Sequence, residues 1–209
     1  MTGRPIDPTT WPRAEHFKYF RKFDHPHFAT TVRVDVTRLM TIGKPLGFSP
    51  FRHTVWAIGT GLTAVPALCV RFKGETILQF GAPVLSSTVA LKNGEYGYGY
   101  YPFIADRAMF DAECARITAQ VQDSNGINAG ETMRLNVAYL SCLPWVDFTA
   151  LDHALPQSDD CIPRISWGKI VPTVDGYDMA MTVQINHALA DGLHVSQFFE
   201  ATQTALDMI

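Results

Sequence analysis

Gln184-Ile185-Asn186-His187-Ala188-Leu189-Ala190-Asp191-Gly192-Leu193-His194-Val195 is the stretch that decides how this chain is read. Before it the residues alternate. Tyr177, Met179, Met181, Val183 and Ile185 are apolar, with Asp178, Thr182, Gln184 and Asn186 between them, which is the period of a strand. After it the period changes, and Val195, Phe198, Phe199, Thr202, Leu206 and Ile209 fall on one helical face. His187 therefore stands where a strand ends and a helix is about to begin. Asp191 is placed to cap that helix, and Gly192 gives the turn room. Imidazole titrates where a general base near neutral pH must, and a junction of two rigid elements can hold it at a cleft. The same residues also fit a plainer account: a cap, a turn glycine and a buried histidine with a backbone partner. A metal site of His187, Asp191 and His194 is disfavoured. Ligands four apart need a helix under both, and no other Cys or His cluster completes the set.

Outward from this stretch, the chain reads as one domain spanning residues 1–209, long enough for a substantial core. Lys plus Arg is 17 and Asp plus Glu is 20, for a net charge of -3, which gives no reason to expect nucleic acid or an anionic membrane as partner. No apolar run approaches a membrane span, and Met1 to Thr10 lacks the apolar core of a signal peptide. Cys69, Cys114, Cys142 and Cys161 are scattered, so free thiols in a cytoplasmic protein are expected.

Thr10-Trp11-Pro12 predicts a helix from Trp11 to Phe23, followed by a turn at Asp24 to His27. Phe28 to Val36 alternates as a half-buried strand, and Ser49-Pro50 opens a helix to about Val65. Two hairpins follow. Ala67–Phe72 and Thr76–Phe80 flank Gly74, and Val84–Leu91 and Tyr96–Phe103 flank Asn93-Gly94. In Tyr96-Gly97-Tyr98-Gly99-Tyr100 the tyrosines share one face. They form either a ladder, with backbone close by on the glycine side, or an aromatic wall for a ligand. Asp106 caps a helix through Gln122, which Ser124-Asn125-Gly126 ends before a loop to about Thr132. Leu135 to Leu140 is a strand, and Ile162–Val171 pairs with Tyr177–Asn186 around Asp175-Gly176. The result is an α/β layered domain, mostly antiparallel or mixed, with no Gly-rich nucleotide loop.

Three segments carry a resemblance. His-Ala-x-x-Asp-Gly, His187 to Gly192, resembles the active-site signature of the chloramphenicol acetyltransferase family. That family usually shows two consecutive histidines, the second catalytic. Here Asn186 replaces the first and His187 keeps the second. Trp11-Pro12-Arg13-Ala14-Glu15-His16-Phe17 is similar to the family's Trp-x-Arg-x-Glu-His-Phe. Ser141-Cys142-Leu143-Pro144-Trp145-Val146-Asp147-Phe148 resembles its Ser-x-Leu-Pro-Trp-x-x-Phe. The signature alone is shared with dihydrolipoamide acyltransferases and peptide-synthetase condensation domains. The three segments together, in order and spacing, favour the first family over nearly the whole chain.

The resemblance implies a two-layer sandwich of mixed, mostly antiparallel sheet with helices packed on it. It implies a homotrimer with active sites at the subunit interfaces and acetyl-CoA as co-substrate. His187 is then the general base and Ser141 the oxyanion donor. Arg13 and Asp191 form a supporting ion pair, and Ser166 falls where the family has a water-positioning threonine. Trp145 and Lys169 are candidates for CoA contact; for Lys169 a solvated surface position is the plain alternative. Without the family match, Ser141 is a strand-end serine and Cys142 a buried thiol. Tyr19, Phe20, Asp24, Tyr96, Tyr98 and His153 fall in the acceptor pocket. There Asp24, Tyr98 and His153 depart from the family by adding polarity or bulk. The expected activity is O-acetyl transfer, with chloramphenicol as the first acceptor to consider. A more polar alcohol or amine is the near alternative, and a catalytically silent trimeric binding protein is the alternative from another class.

Overall fold

The computed structural model describes residues 3–124, 127 and 135–209. The expected helix stop at Asn125-Gly126 and the loop to Thr132 lie outside the described residues. The alternating stretch is strand β10 (Tyr177–Asn186), and it is the axis of the larger sheet. Among the described residues that sheet has seven strands. β10 pairs antiparallel with β2 (His27–Asp35) on one side and β8 (Arg164–Trp167) on the other. β8 then runs parallel to β7 (Val137–Cys142), and β7 parallel to β5 (Val84–Ala90). β6 (Tyr96–Pro102) closes the far edge antiparallel to β5, and the short β9 (Val171–Pro172) pairs with β10. The sheet is therefore mixed.

Its apolar face carries Met179, Met181, Val183, Ile165, Leu140 and Leu85 into one core with two long helices. These are α2 (Pro50–Ala64), whose Ser49 side chain accepts from Arg52 N, and α4 (Gly192–Leu206), capped by Asp191. They cross closely at Gly61, where a Cβ would meet Thr202 Oγ1 at 2.1 Å. The predicted face of α4 is the observed one: Val195, Phe198, Thr202 and Leu206 are all buried. α3 (Arg107–Gln122) starts on Asp106, as its capping carboxylate predicts, and turns Phe110, Cys114 and Val121 inward.

A second, smaller core lies at the other end of β10. A three-stranded sheet of β1 (Arg4–Pro5), β4 (Thr76–Gln79) and β3 (Val70–Lys73) packs on helix α1 (Ala14–Phe20). Phe17, Phe72 and Ile77 meet Ala188 and Leu189 there. The turn after His187 is thus pinned by its own apolar residues, each fully buried Leu contributing about 1.5–3 kcal/mol.

Three expectations need correction. The first helix is shorter than Trp11–Phe23. Trp11 to Arg13 form a turn, and Thr10 does not cap, because Arg13 is pulled away by the contacts described below. Ala67 to Cys69 is a 3-10 turn rather than strand, since Pro66 favours a helical start. At Gly99 of β6 the nearest neighbour is a side chain and not backbone. A Cβ at Gly99 would meet the Tyr101 hydroxyl at 2.4 Å, and Tyr101 reaches past it to Thr118. Gly94 does adopt the positive φ, 85°, that its turn asks for.

Candidate active site

His187 follows the last residue of β10, and every neighbour restrains it. Its ring stacks on Phe20 of α1 at 4.0 Å between centroids and 7° between planes, and tilts against Phe28 of β2 at 4.6 Å. Its amide donates to Pro26 O at 2.8 Å. Its carbonyl accepts from Arg13 Nη2 at 2.8 Å. The same guanidinium donates through Nε to Ala188 O at 3.2 Å and through Nη1 to Asp191 Oδ2 at 2.6 Å. One side chain on the lead-in to α1 therefore holds the carbonyls of the histidine and of the residue after it together with the cap of α4. His187 Nδ1 is buried without a partner among the described residues, which leaves Nε2 as the nitrogen that can exchange a proton.

Burial pulls the Asp191 carboxyl upward, but hydrogen bonds and charge from Arg13 and His194 outweigh it and hold it at about 2. His194 Nδ1 lies 2.7 Å from Asp191 Oδ1 and closes the capping box of α4. His187, Asp191 and His194 are thus not arranged around a metal. Asp191 is committed to a guanidinium, and among the described residues no His, Cys, Asp or Glu group is arranged to hold one. Asn186, where the resembled signature has a histidine, is a buried brace. Its Oδ1 accepts from Ala188 N, and its Nδ2 donates to the Asp160 and Ser158 carbonyls.

Ser141 belongs to another place. It sits near the end of β7, on the wall of a cleft of about 360 Å³. Register shows why it is remote from His187. Ser141 pairs with Ser166, Ser166 with Thr182, and His187 lies five residues further on, just past the end of β10. At about 3.3 Å per residue and about 4.8 Å per strand, the two residues of one chain are roughly 17 Å apart along the sheet and roughly 10 Å across it. The cleft contains Ser141, Tyr98 and His153 but not His187.

The cleft opens on the sheet face opposite the helices, and that face is polar. Ser86, Tyr100, Tyr139 and Arg164 are cross-strand partners, and so, one row on, are Thr31, Thr182, Ser166 and Ser141. His153 Nε2 lies 2.8 Å from Ser166 Oγ, and its amide donates to Gln184 Oε1 at 3.0 Å. Burial, helped by the Arg164 charge, lowers the His153 pKa, so its ring is neutral at neutral pH. Arg164 meets Asp160 through both terminal nitrogens, at 2.8 and 3.1 Å, and lies over the Tyr139 ring. Burial pushes the Cys142 thiol up to about 11, which disfavours the thiolate.

The remaining predicted residues divide between the two places. Phe20 and the exposed Tyr19 and Asp24 lie at the His187 corner. Tyr96 stands at the exposed rim of β6, edge-on to Tyr98. Trp145 is 84 % exposed, and the exposed Lys169 lies beside that segment, its amide bonded to Val146 O. Arg164, Asp160 and Gln184 were missed by sequence reading. The only signal was an arginine inside the apolar run Ile162 to Trp167.

Arg13 ties this strand-end histidine to the capping aspartate, and a family match places the protein among the acyltransferases. The narrower assignment comes from comparison. A sequence model of the chloramphenicol acetyltransferase family matches residues 1–203, and the chain belongs to that family. Chloramphenicol acetyltransferase 2 of Escherichia coli is 26% identical over 214 residues, covering 100% of this chain and 99% of that one. A solved chloramphenicol acetyltransferase superposes with a TM-score of 0.89 at 23% identity, covering 98% and 99%. A dihydrolipoamide acetyltransferase of Azotobacter vinelandii superposes less well, with a TM-score of 0.67 at 14% identity over 93% and 86%.

Proposed function

We propose that the protein transfers acetyl from acetyl-CoA to a hydroxyl of a small acceptor directly, without an acyl-enzyme, at sites shared between subunits of a homotrimer. The observation that carries this reading is the fixing of His187: its ring is held between Phe20 and Phe28, and its carbonyl is held by Arg13. Nε2 takes the acceptor proton as the oxygen attacks the thioester carbonyl. The new C–O bond forms, the C–S bond breaks, and the imidazolium returns the proton to the CoA sulfur. Ser141 donates to the oxyanion between these events. Binding both substrates side by side supplies the proximity that replaces an acyl-enzyme.

The separation of His187 from Ser141 within one chain supports a site shared between subunits, with a neighbour's copy completing the pair. Ser166 and His153 brace the cleft, and the exposed Trp145 and Lys169 are available to CoA. The names of the family's members make chloramphenicol the first acceptor to test. The polar groups at Tyr98, His153 and Arg164 favour a second reading, a more polar alcohol. The test is thiol release from acetyl-CoA with chloramphenicol and then with a panel of small alcohols. Release that depends on an acceptor and saturates is expected; no release with any acceptor refutes acetyl transfer.

A further inference from the structure

The loop before β8 carries one residue that holds to both halves of the candidate site. The main-chain oxygen of Asp160 accepts from His27 Nε2 at 2.6 Å and from Asn186 Nδ2 at 3.0 Å. Those two donors are cross-strand partners on β2 and β10, and Asn186 directly precedes His187. Pro26, the residue before His27, accepts the His187 amide. The carboxylate of Asp160 accepts from Arg164 Nη1 at 2.8 Å and Nη2 at 3.1 Å, and from Ile162 N at 3.0 Å. Arg164 in turn lines the cleft with Ser141 and lies over the Tyr139 ring.

The carboxylate is what fixes that carbonyl. Residues 155–163 form neither helix nor strand, so no ladder sets the direction of the Asp160 peptide. The bond to Ile162 N closes an Asx turn around it, and the two-pronged bond to Arg164 ties the turn to β8. Both side chains are shielded, Asp160 at 9 % exposed and Arg164 at 10 %, so solvent screens the pair little. The loop's other side-chain anchors are weaker. Cys161 shares bonds of 3.4 Å with Phe72, and the half-exposed Asp159 meets Arg21.

We infer that Asp160 is a positioning residue for two active sites at once. Its carbonyl steadies the His187 that serves one subunit interface, and its carboxylate places Arg164 in the cleft that serves the other. The inference rests on acetyl transfer at sites shared between subunits. His187 and Ser141 of one chain then belong to different sites, so each Asp160 supports the base of one and the wall of the next.

Two measurements on the full chain test it. The first needs no turnover. The His187 ring packs against Phe20 and Phe28, so ring currents make its Hε1 NMR signal report small displacements. The signal is identified by its loss in His187→Ala. Asp160→Asn and Asn186→Ala are both expected to shift it, and an unmoved signal in Asp160→Asn overturns the inference.

The second reads thiol release. Asp160→Asn is expected to lower kcat/KM by about 10- to 100-fold, the scale of a misplacement of about 1 Å, with kcat down and the acceptor KM up. Asn186→Ala, which touches only the base, should change mainly kcat. Co-expressed equally with wild-type chain, Asp160→Asn should leave about a quarter to a third of wild-type kcat/KM, because only sites built from two wild-type chains are whole. His187→Ala under the same mixing should leave about half. A half for Asp160→Asn as well confines Asp160 to one site and overturns the inference, while acetyl transfer stands. No thiol release from the wild-type chain refutes acetyl transfer and takes this inference with it. If Asp160→Asn fails to assemble because Arg164 is stranded, adding Arg164→Gln removes the unpaired charge and carries both measurements.

Discussion

The two halves of the candidate site are made in opposite ways. At the His187 corner one guanidinium reaches His187 O, Ala188 O and Asp191, and two apolar cores meet around the turn. Nothing there is left to adjust. Across the sheet, the Ser141 cleft is open and lined by serine, tyrosine and histidine side chains drawn from several strands and a loop. The difference teaches where precision is required. A base must sit within hydrogen-bond reach of one proton, so its support is over-determined. A binding wall only has to match its ligand once that ligand arrives.

The largest effect should come from the base. His187→Ala is expected to lower kcat by about 10²–10⁴ while light scattering still shows a trimer and acetyl-CoA still binds. Substantial retained turnover would assign the proton transfer to another group. Ser141→Ala comes next, with kcat falling by about 10²–10³ and KM for both substrates little changed. A pure KM effect would instead make Ser141 a ground-state contact.

Mixing the two variants tests the division between chains directly. Co-expressed His187→Ala and Ser141→Ala subunits form hybrid trimers in which one interface joins an intact His187 to an intact Ser141. Equal mixing should restore about a quarter of wild-type activity, from the cyclic symmetry alone. Absence of any complementation would mean that the two residues do not act across an interface.

Arg13→Ala leaves three acceptors without their donor and should cost about 1.5–3 kcal/mol, read by urea unfolding. The smallest effect concerns acid. Asp191 lies at about 2 in the folded protein, below its ordinary 3.8. Its contribution is therefore complete above about pH 4 and is lost as pH falls toward 2. Asp191→Asn should flatten that limb of the stability curve, modestly, because the carboxylate is about a third exposed and solvent screens it. An unchanged acid limb would show that the pair contributes nothing to folding.

The chain alone determined what local physics determines. The alternation in β10, the period of α4, the caps Ser49, Asp106 and Asp191 and the glycine turn at Gly94 were legible, because each depends on residues a few positions apart. The Arg13–Asp191 pair came from resemblance, and the structure brings those two side chains together. The tertiary structure decided the rest. His153 with Ser166, Gln184 with the Asp152 carboxylate, and Arg164 over Tyr139 join residues that sequence order keeps apart. The separation of His187 from Ser141 is a matter of register, summed across three strands. No periodicity in a single strand contains it, because strand order is settled by which faces bury together and not by the pattern within any one of them.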